Sequence, residues 1–186
     1  MIQHEVEVWD PFVRVFHWAL VALFTLAYVT EDEWLGLHVY AGYVIGVLLA
    51  LRVGWGLVGP RHARFGDFVY PVDTITAYLR DTLRLRARRY IGHNPAGGAM
   101  VVLMLTVLLL TTLSGLLAYG IEGQGPLAAA RGPWAGLKDA AEGLHEFLAN
   151  LAVFLVVVHV GGVMVESLIH GENLAKSMLT GRKRAE

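Results

Sequence analysis

Histidine is the residue type of this chain best suited to bind a metal or carry a proton. Eight of the 186 residues are histidines and none is a cysteine, so cysteine-bound zinc, iron–sulfur clusters and covalently attached c-type haem are excluded. Four of the histidines lie in strongly apolar stretches: His17, His38, His145 and His159. An ionisable side chain inside a bilayer is costly and usually faces the interior of a helix bundle, so each of the four is a functional candidate.

The spacing of these histidines predicts two pairs. His145 and His159 are 14 residues apart, which on one helix places them within about 40° of the same face and about 21 Å apart along the axis. If the apolar stretches alternate in direction across a membrane, His38 lies level with His145. By the same rule His17 lies in the same half of the bilayer as His159. Two imidazoles that face each other across a bundle are what a b-type haem needs for axial ligation of its iron.

Five further residues are candidates to contact such a cofactor. Gly42 and Gly46 follow His38 by four and eight residues, so they either let a flat macrocycle approach or serve as ordinary small-residue packing. Arg14 and Arg52 could neutralise haem propionates or bind a quinone head group, although the positive-inside preference alone explains both. His93, at the start of the third apolar stretch, either bonds a propionate or caps the helix.

The other ionisable residues near the apolar stretches have plainer interpretations. Glu166 follows His159 by seven residues, so a proton-linked role is open to it, but we expect its side chain to snorkel to the interface. His4, His62 and His170 lie outside the spans and are expected to be solvated.

The elements that must hold these residues are membrane-spanning helices. Only 17% of the residues are charged and the mean hydropathy is +0.51, which excludes a disordered chain and a nucleic-acid-binding protein. A spanning helix needs about 20 mostly apolar residues, and four windows qualify, at about 12–30, 37–58, 96–119 and 144–169. Lipid leaves free backbone polar groups without partners, so each window is predicted to be helical and no strand is expected. The predicted fold is an all-α integral membrane protein, a four-helix bundle forming a single domain over 1–186.

Lysine and arginine predict the orientation of this bundle. If the N-terminus is cytoplasmic, 13 of the 15 lie on that side and two on the other, as the positive-inside preference requires. We therefore expect a multi-pass membrane protein with both termini cytoplasmic. The 13 are Arg14, Arg52, Arg61, Arg64, Arg80, Arg84, Arg86, Arg88, Arg89, Lys176, Arg182, Lys183 and Arg184, and the other two are Arg131 and Lys138.

The loops carry two surface features. Between the second and third spans, apolar residues recur at helical spacing over 73–89 beside an arginine-rich face. This pattern predicts a helix that lies on the inner leaflet or docks a partner. The short outer turn at 31–34, EDEW, is acidic, and Trp34 and Trp134 are expected to anchor at the outer interface.

Several motifs of the chain resemble those of one family in order and spacing. They are VWDPFVRVFHW at 8–18, LHVYAGY at 37–43 with LRVGWG at 51–56, GHNPAGG at 92–98, LH at 144–145 with His159, and GENL at 171–174 with Met178, Gly181, Arg182 and Lys183. Together they resemble the bacterial cytochrome b561 family, with its R-x-x-H-W signature on the first helix, and the related b-type cytochrome subunits of nickel–iron hydrogenases. The resemblance covers nearly the whole chain.

The resemblance implies four membrane helices, two non-covalent b-type haems and transfer of single electrons across the membrane. Carried over residue by residue, His17 and His159 bind the inner haem. His38 and His145 bind the outer one.

The implied function is electron transfer between a quinone/quinol pool and a periplasmic redox partner, such as a c-type cytochrome or a dehydrogenase subunit. Two alternatives are a cytochrome b subunit of a hydrogenase or other dehydrogenase, and a stand-alone superoxide:quinone oxidoreductase. A haem-free membrane anchor or proton pathway is the alternative from a different class.

Overall fold

The structure, a computed structural model, is mostly helical and describes residues 4–31 and 33–185; Asp32 of the predicted acidic turn lies outside the described residues. Short 3-10 helices occupy Arg61–Ala63, Ala128–Ala130 and Ala135–Leu137. The other elements, in chain order, are β1 (Glu5–Glu7), α1 (Pro11–Val29), α2 (Leu35–Val58), α3 (Phe65–Phe68), α4 (Val72–Leu83), α5 (Pro95–Ile121), α6 (Arg131–Trp134), α7 (Lys138–His170), α8 (Leu174–Thr180) and β2 (Arg182–Arg184).

Four helical stretches are long and apolar enough to cross a membrane, which confirms the number of predicted spans. They are Pro11–Val29, Leu35–Val58, Pro95–Ile121 and Arg131–His170, the last running from α6 into α7. Between 17% and 28% of each span is buried inside the protein. Most apolar side chains of the spans therefore face outward, as lipid contact requires.

The chain divides into two compact units, and each of the four long helices contributes a segment to both. The first unit comprises the described residues of Met1–Ala19, Ala50–Leu103 and Val156–Glu186, and the second unit those of Leu20–Leu49 and Met104–Leu155. In the first unit Phe68 is fully buried, and the buried Trp9 donates its indole N–H to Ser177 Oγ at 3.2 Å. In the second unit Ala41 and Leu49 are almost completely buried.

The beginning of α1 follows from its sequence. Asp10 caps the helix, because its Oδ1 accepts hydrogen bonds from the backbone N–H groups of Phe12 and Val13 at 3.0 and 3.2 Å. Pro11 occupies the first helical position, where its missing N–H costs nothing. The same Oδ1 accepts the indole N–H of Trp55 at 3.2 Å. The cap thus ties α1 to α2 within the first unit.

The surface helix predicted over 73–89 ends earlier, at Leu83. Leu85 adopts a left-handed φ of 56°, and its N–H bonds to the carbonyl of Thr82 while that of Arg86 bonds to Asp81. This is the hydrogen-bond pattern of a Schellman cap. The predicted boundary is therefore wrong, because a local turn satisfies the carbonyls that a longer helix would have bonded.

The prediction that no strand forms is wrong near the chain ends. β1 and β2 pair antiparallel, with Glu5 opposite Arg184 and Glu7 opposite Arg182. Opposite charges in facing positions stabilise such a pair. The apolar spans carried no signal for this ribbon, which lies outside them and brings the two ends of the described chain side by side.

Candidate functional site

The first unit brings together His17 and His159. His17 extends from α1 and His159 from α7, with ring centres 6.4 Å apart and ring planes inclined by 56°. Trp18 packs edge-on against His17 at 5.1 Å. The Nδ1 atom of His17 is buried and has no hydrogen-bond partner among the described residues.

The second unit brings together His38 and His145. His38 extends from α2 and His145 from α7, with ring centres 5.9 Å apart and planes nearly perpendicular, at 85°. Nδ1 of His38 lies 2.8 Å from the carbonyl oxygen of Ala27, and Nδ1 of His145 lies 2.9 Å from that of Thr111. A carbonyl oxygen only accepts, so each Nδ1 carries the proton and donates it. Each Nε2 is then unprotonated and able to bind a metal.

A cavity adjoins the second pair and is shaped by glycines. Its lining comprises His38, Val39, Gly42, Tyr43, Thr112, Gly115, Leu116, Tyr119 and His145. A Cβ atom added to Gly42 would meet no atom within 4 Å, so this face of α2 borders open space one turn beyond His38. A Cβ on Gly115 would lie 2.8 Å from Cε1 of His145, so the imidazole needs glycine there. Gly46 instead packs against Thr112, because a Cβ added to Gly46 would lie 3.2 Å from Cγ2 of Thr112. This contact favours the interpretation of Gly46 as ordinary small-residue packing.

Gly115 was missed by the sequence reasoning. The third span holds no histidine, so the spacing of the histidines does not point to it. The signal that was present is a glycine in the interior of an uncharged helix, since an interior glycine costs stability and is retained for close approach.

Both histidine pairs fit a haem iron. An imidazole nitrogen binds a metal at about 2 Å, and the ring centre lies roughly 1 Å further on, so two axial imidazoles place their ring centres about 6 Å apart. The observed separations of 6.4 and 5.9 Å agree with this value. The open space at Gly42 provides room for a flat macrocycle beside the second pair.

The remaining predicted site residues lie in the first unit. Arg52 is buried at 2% exposure, with its guanidinium 5.4 Å from the ring centre of Phe65 and its Nη1 without a partner among the described residues. Arg14 donates through Nη2 to the carbonyl of Leu179, near the end of α8. Arg14 therefore ties α1 to α8. Each arginine also retains a buried donor with no partner among the described residues, Nε of Arg14 and Nη1 of Arg52.

His93 does not cap α5. Asn94 makes that cap, since its Oδ1 accepts the N–H of Gly97 at 2.6 Å. The ring of His93 lies between those of Trp9 and Phe68, at 4.6 and 4.5 Å, and its buried Nδ1 has no partner among the described residues. Burial and the nearby positive charge of Arg52 hold the pKa of His93 well below its ordinary value, so the imidazole is neutral at pH 7.

Three expectations about the other ionisable residues are wrong. Glu166 does not snorkel but is buried, at 8% exposure, and His170 bonds to it. His62 is not solvated either, because its Nδ1 lies 2.9 Å from Oδ2 of Asp67. His4 is exposed, as predicted. His170 follows Glu166 by four residues on one helix, a spacing that indicates side-chain contact, whereas sequence spacing could not reveal the partners of Glu166 that come from α4.

Paired imidazoles between apolar helices define the class to which this chain belongs, the membrane b-type cytochromes. A sequence model of the family described as prokaryotic cytochrome b561 matches residues 8–181. The chain therefore belongs to the prokaryotic cytochrome b561 family, whose members bind haem and take part in electron transport.

The chain is also similar to proteins named probable Ni/Fe-hydrogenase B-type cytochrome subunit. The one from Rhizobium leguminosarum bv. viciae is 26% identical over 167 residues, covering 79% of this chain and 67% of that protein. The one from Rhodobacter capsulatus is 25% identical over 215 residues, covering 96% and 81%. The one from Azotobacter vinelandii is 28% identical over 165 residues, covering 77% and 65%. No solved structure matches the chain significantly.

Proposed function

We propose that this protein binds two b-type haems and carries single electrons across the bacterial inner membrane. The observation that supports this most directly is the pair of imidazole sites with ring centres 6.4 and 5.9 Å apart, one in each unit. His17 and His159 are the proposed axial ligands in the first unit. His38 and His145 are those in the second unit.

The chain's own groups orient the proposed ligands of the second unit. The carbonyls of Ala27 and Thr111 accept the Nδ1 protons of His38 and His145, which sets the ring orientation and directs Nε2 away from the backbone. A bound haem iron supplies the one-electron couple. The surrounding apolar helices provide the low dielectric that influences its potential.

Arg52 and His93 are proposed to bind a carboxylate of the cofactor bound in the first unit. Both present a buried nitrogen with no partner among the described residues, Nη1 of Arg52 and Nδ1 of His93. A guanidinium donates strong hydrogen bonds to a carboxylate. A neutral imidazole donates one more if the proton lies on Nδ1.

The electron partners are proposed to be a dehydrogenase subunit and the quinone/quinol pool. The relatives named as hydrogenase cytochrome subunits favour a hydrogenase or another dehydrogenase as the partner. The second unit carries two basic and seven acidic residues. This negative charge favours a partner whose docking surface is positively charged, such as a c-type cytochrome or a dehydrogenase subunit with a basic patch. The exposed Trp34 and Trp134 suit the outer interface of the membrane.

The test is haem quantitation combined with single histidine substitutions. Purified protein should contain two low-spin haems per chain. His17→Ala and His159→Ala should each lose, or convert to high spin, the same haem, and His38→Ala and His145→Ala should share loss of the other. His4→Ala is the matched control, because His4 is exposed and outside the spans, and it should retain both haems.

Two results would contradict the proposal. A fully loaded wild-type protein with one haem would exclude the dihaem assignment. A shared phenotype for His17→Ala and His145→Ala, with different spectra for His159→Ala, would show that the ligands pair differently.

A further inference from the structure

A buried carboxylate in the first unit is surrounded by hydrogen-bond donors. Oε2 of Glu166 accepts the hydroxyl of Tyr78 at 2.8 Å and lies 3.1 Å from Nε2 of His170, and Oε1 accepts the hydroxyl of Thr82 at 3.3 Å. Glu166 is 8% exposed and Tyr78 is 5% exposed. Burying a carboxylate is unfavourable unless its charge is compensated. Apolar packing alone therefore gives no reason for a glutamate here.

The cationic side chains near this group are bound to other acceptors. Lys183 lies within electrostatic reach of Glu166, but its Nζ is 3.5 Å from Oε2 of Glu172 and donates to the carbonyl of Tyr90 at 3.0 Å. Arg89 also binds Glu172, at 3.1 Å. Glu172 thus pairs with both cations. Glu166 is stabilised instead by the hydrogen bonds from Tyr78, Thr82 and His170.

The other groups around the carboxylate stay neutral near pH 7. Burial and the neighbouring Glu166 raise the pKa of Tyr78, so it remains a phenol. Tyr90 packs edge-on against Tyr78, with ring centres 5.6 Å apart. Among the described hydrogen-bond partners of Glu166, only His170 carries an imidazole, the side chain that most often passes protons in proteins.

His170 connects this cluster to water. It is the last residue of α7, and its side chain is 13% exposed. Gly171 follows with a φ of +56°, and Arg184 donates to the carbonyl of His170 at 3.0 Å, which holds the helix end in place. A proton from the aqueous phase can therefore reach the imidazole of His170, whose Nε2 lies 3.1 Å from Oε2 of Glu166.

The same helix relates the cluster to a proposed haem ligand. Glu166 follows His159 by seven residues in α7, so it lies about 10 Å further along the axis and within about 20° of the same face. Charges at that separation interact substantially in the low dielectric of a protein interior. A change of charge beside His159 therefore changes the electrostatic free energy of a charge on Glu166.

We propose that Glu166 and His170 form a redox-linked proton site, which binds one proton when the haem on His17 and His159 gains an electron. This rests on the proposed function, because it requires a haem at that pair. With a haem bound at that pair, one electron would reduce its ferric iron to ferrous iron, one proton would pass from water onto the Glu166–His170 pair, and both would leave on reoxidation. Tyr78 and Thr82 hold the carboxylate in place and are positioning residues.

The test is a redox titration of the haems at several pH values between about 5 and 9. The reduction potential of one haem, the one lost in His17→Ala, should fall as the pH rises, because fewer protons stabilise its reduced state. The limiting slope is a tenfold change in the equilibrium constant per pH unit, or 59 mV for one electron. Redox-difference infrared spectra of the wild type should show a matching band from a protonated carboxyl or imidazole group.

Glu166→Gln and His170→Gln should both remove this slope and the infrared band while both haems stay low-spin. Asp73→Asn is the matched control, since it removes an exposed carboxylate from α4, and it should keep the slope. A reduction potential of the wild-type haem that does not depend on pH would overturn the proposed proton site. A pH dependence that survives in Glu166→Gln would overturn it as well. A wild-type protein without low-spin haem would instead refute the proposed function.

Discussion

At the residue scale, the position of His145 depends on a glycine in a helix that carries no histidine. In Gly115→Ala the new Cβ would lie 2.8 Å from Cε1 and 3.0 Å from Nδ1 of the ring, so the imidazole must move and its bond to the Thr111 carbonyl must weaken. We expect loss of the haem bound in the second unit, with about 1–3 kcal/mol of destabilisation from overpacking. The haem-to-protein ratio and the low-spin absorption bands measure this.

Gly143→Ala is the control for this prediction. Gly143 lies two residues before His145 in α7, and a Cβ there would meet no atom within 4 Å. It should keep both haems and gain a little helix stability. Two intact low-spin haems in Gly115→Ala would show that the ring tolerates the added methyl group.

At the element scale, the ribbon of β1 and β2 depends on a carboxylate outside it. Glu172 binds Arg89 and Lys183, and its Oε1 accepts the backbone N–H of Arg184 at 3.1 Å. Glu172→Gln should lower the opening free energy of β2 by about 1.5–3 kcal/mol, the usual value of a hydrogen bond to a charged group. Amide hydrogen exchange at 182–184 should therefore be roughly tenfold faster or more.

Glu5→Gln is the control for this prediction. The ion pair of Glu5 with Arg182 is 4.0 Å long and exposed, and such pairs contribute little to stability.

The pH dependence of this ribbon follows from the same carboxylate. Burial acts to raise the pKa of Glu172, but the hydrogen bond from Arg89 and the charge of Lys183 outweigh burial and lower it. Its stabilising contribution is therefore complete above the unfolded pKa of about 4.3 and is lost as the pH falls through the lower folded value. Once the pH is below that folded value, the wild-type ribbon should open as readily as that of Glu172→Gln. A wild-type ribbon that stays more protected there would contradict the assignment.

At the scale of the whole molecule, charge is divided between the two units. The first unit carries 13 basic and nine acidic residues, a net charge of +4, and the second carries two basic and seven acidic residues, a net charge of −5.

This division predicts the topology through the positive-inside preference. Reporter fusions near Arg84 and at the C-terminal end should report cytoplasm, and one near Arg131 should report periplasm. Reversing Arg131 and Lys138 to glutamate is the control and should leave the result unchanged, because acidic residues contribute little to orientation. Cytoplasmic activity near Arg131 would reverse the inner and outer assignments.

The sequence by itself determined the four apolar spans and which histidines share a level along them. Apolar length is a local property, and lipid permits only hydrogen-bonded backbone in these windows, so the four spans follow without knowledge of their neighbours. The regular helical rise then predicts which histidines share a level. The ring pairs at 6.4 and 5.9 Å agree with that prediction; their role as haem ligands stays a prediction.

Only the tertiary structure decided which polar groups meet. The bonds from Tyr78 to Glu166 and from Arg89 to Glu172 join residues more than 80 positions apart, and no periodicity within one segment encodes such a partner. The β1–β2 ribbon joins opposite ends of the chain in the same way. A buried polar group is stable only where another group satisfies it, and that condition depends on packing in three dimensions. For this reason Glu166, an isolated acidic residue in the sequence, becomes a hydrogen-bonded site only in the folded protein.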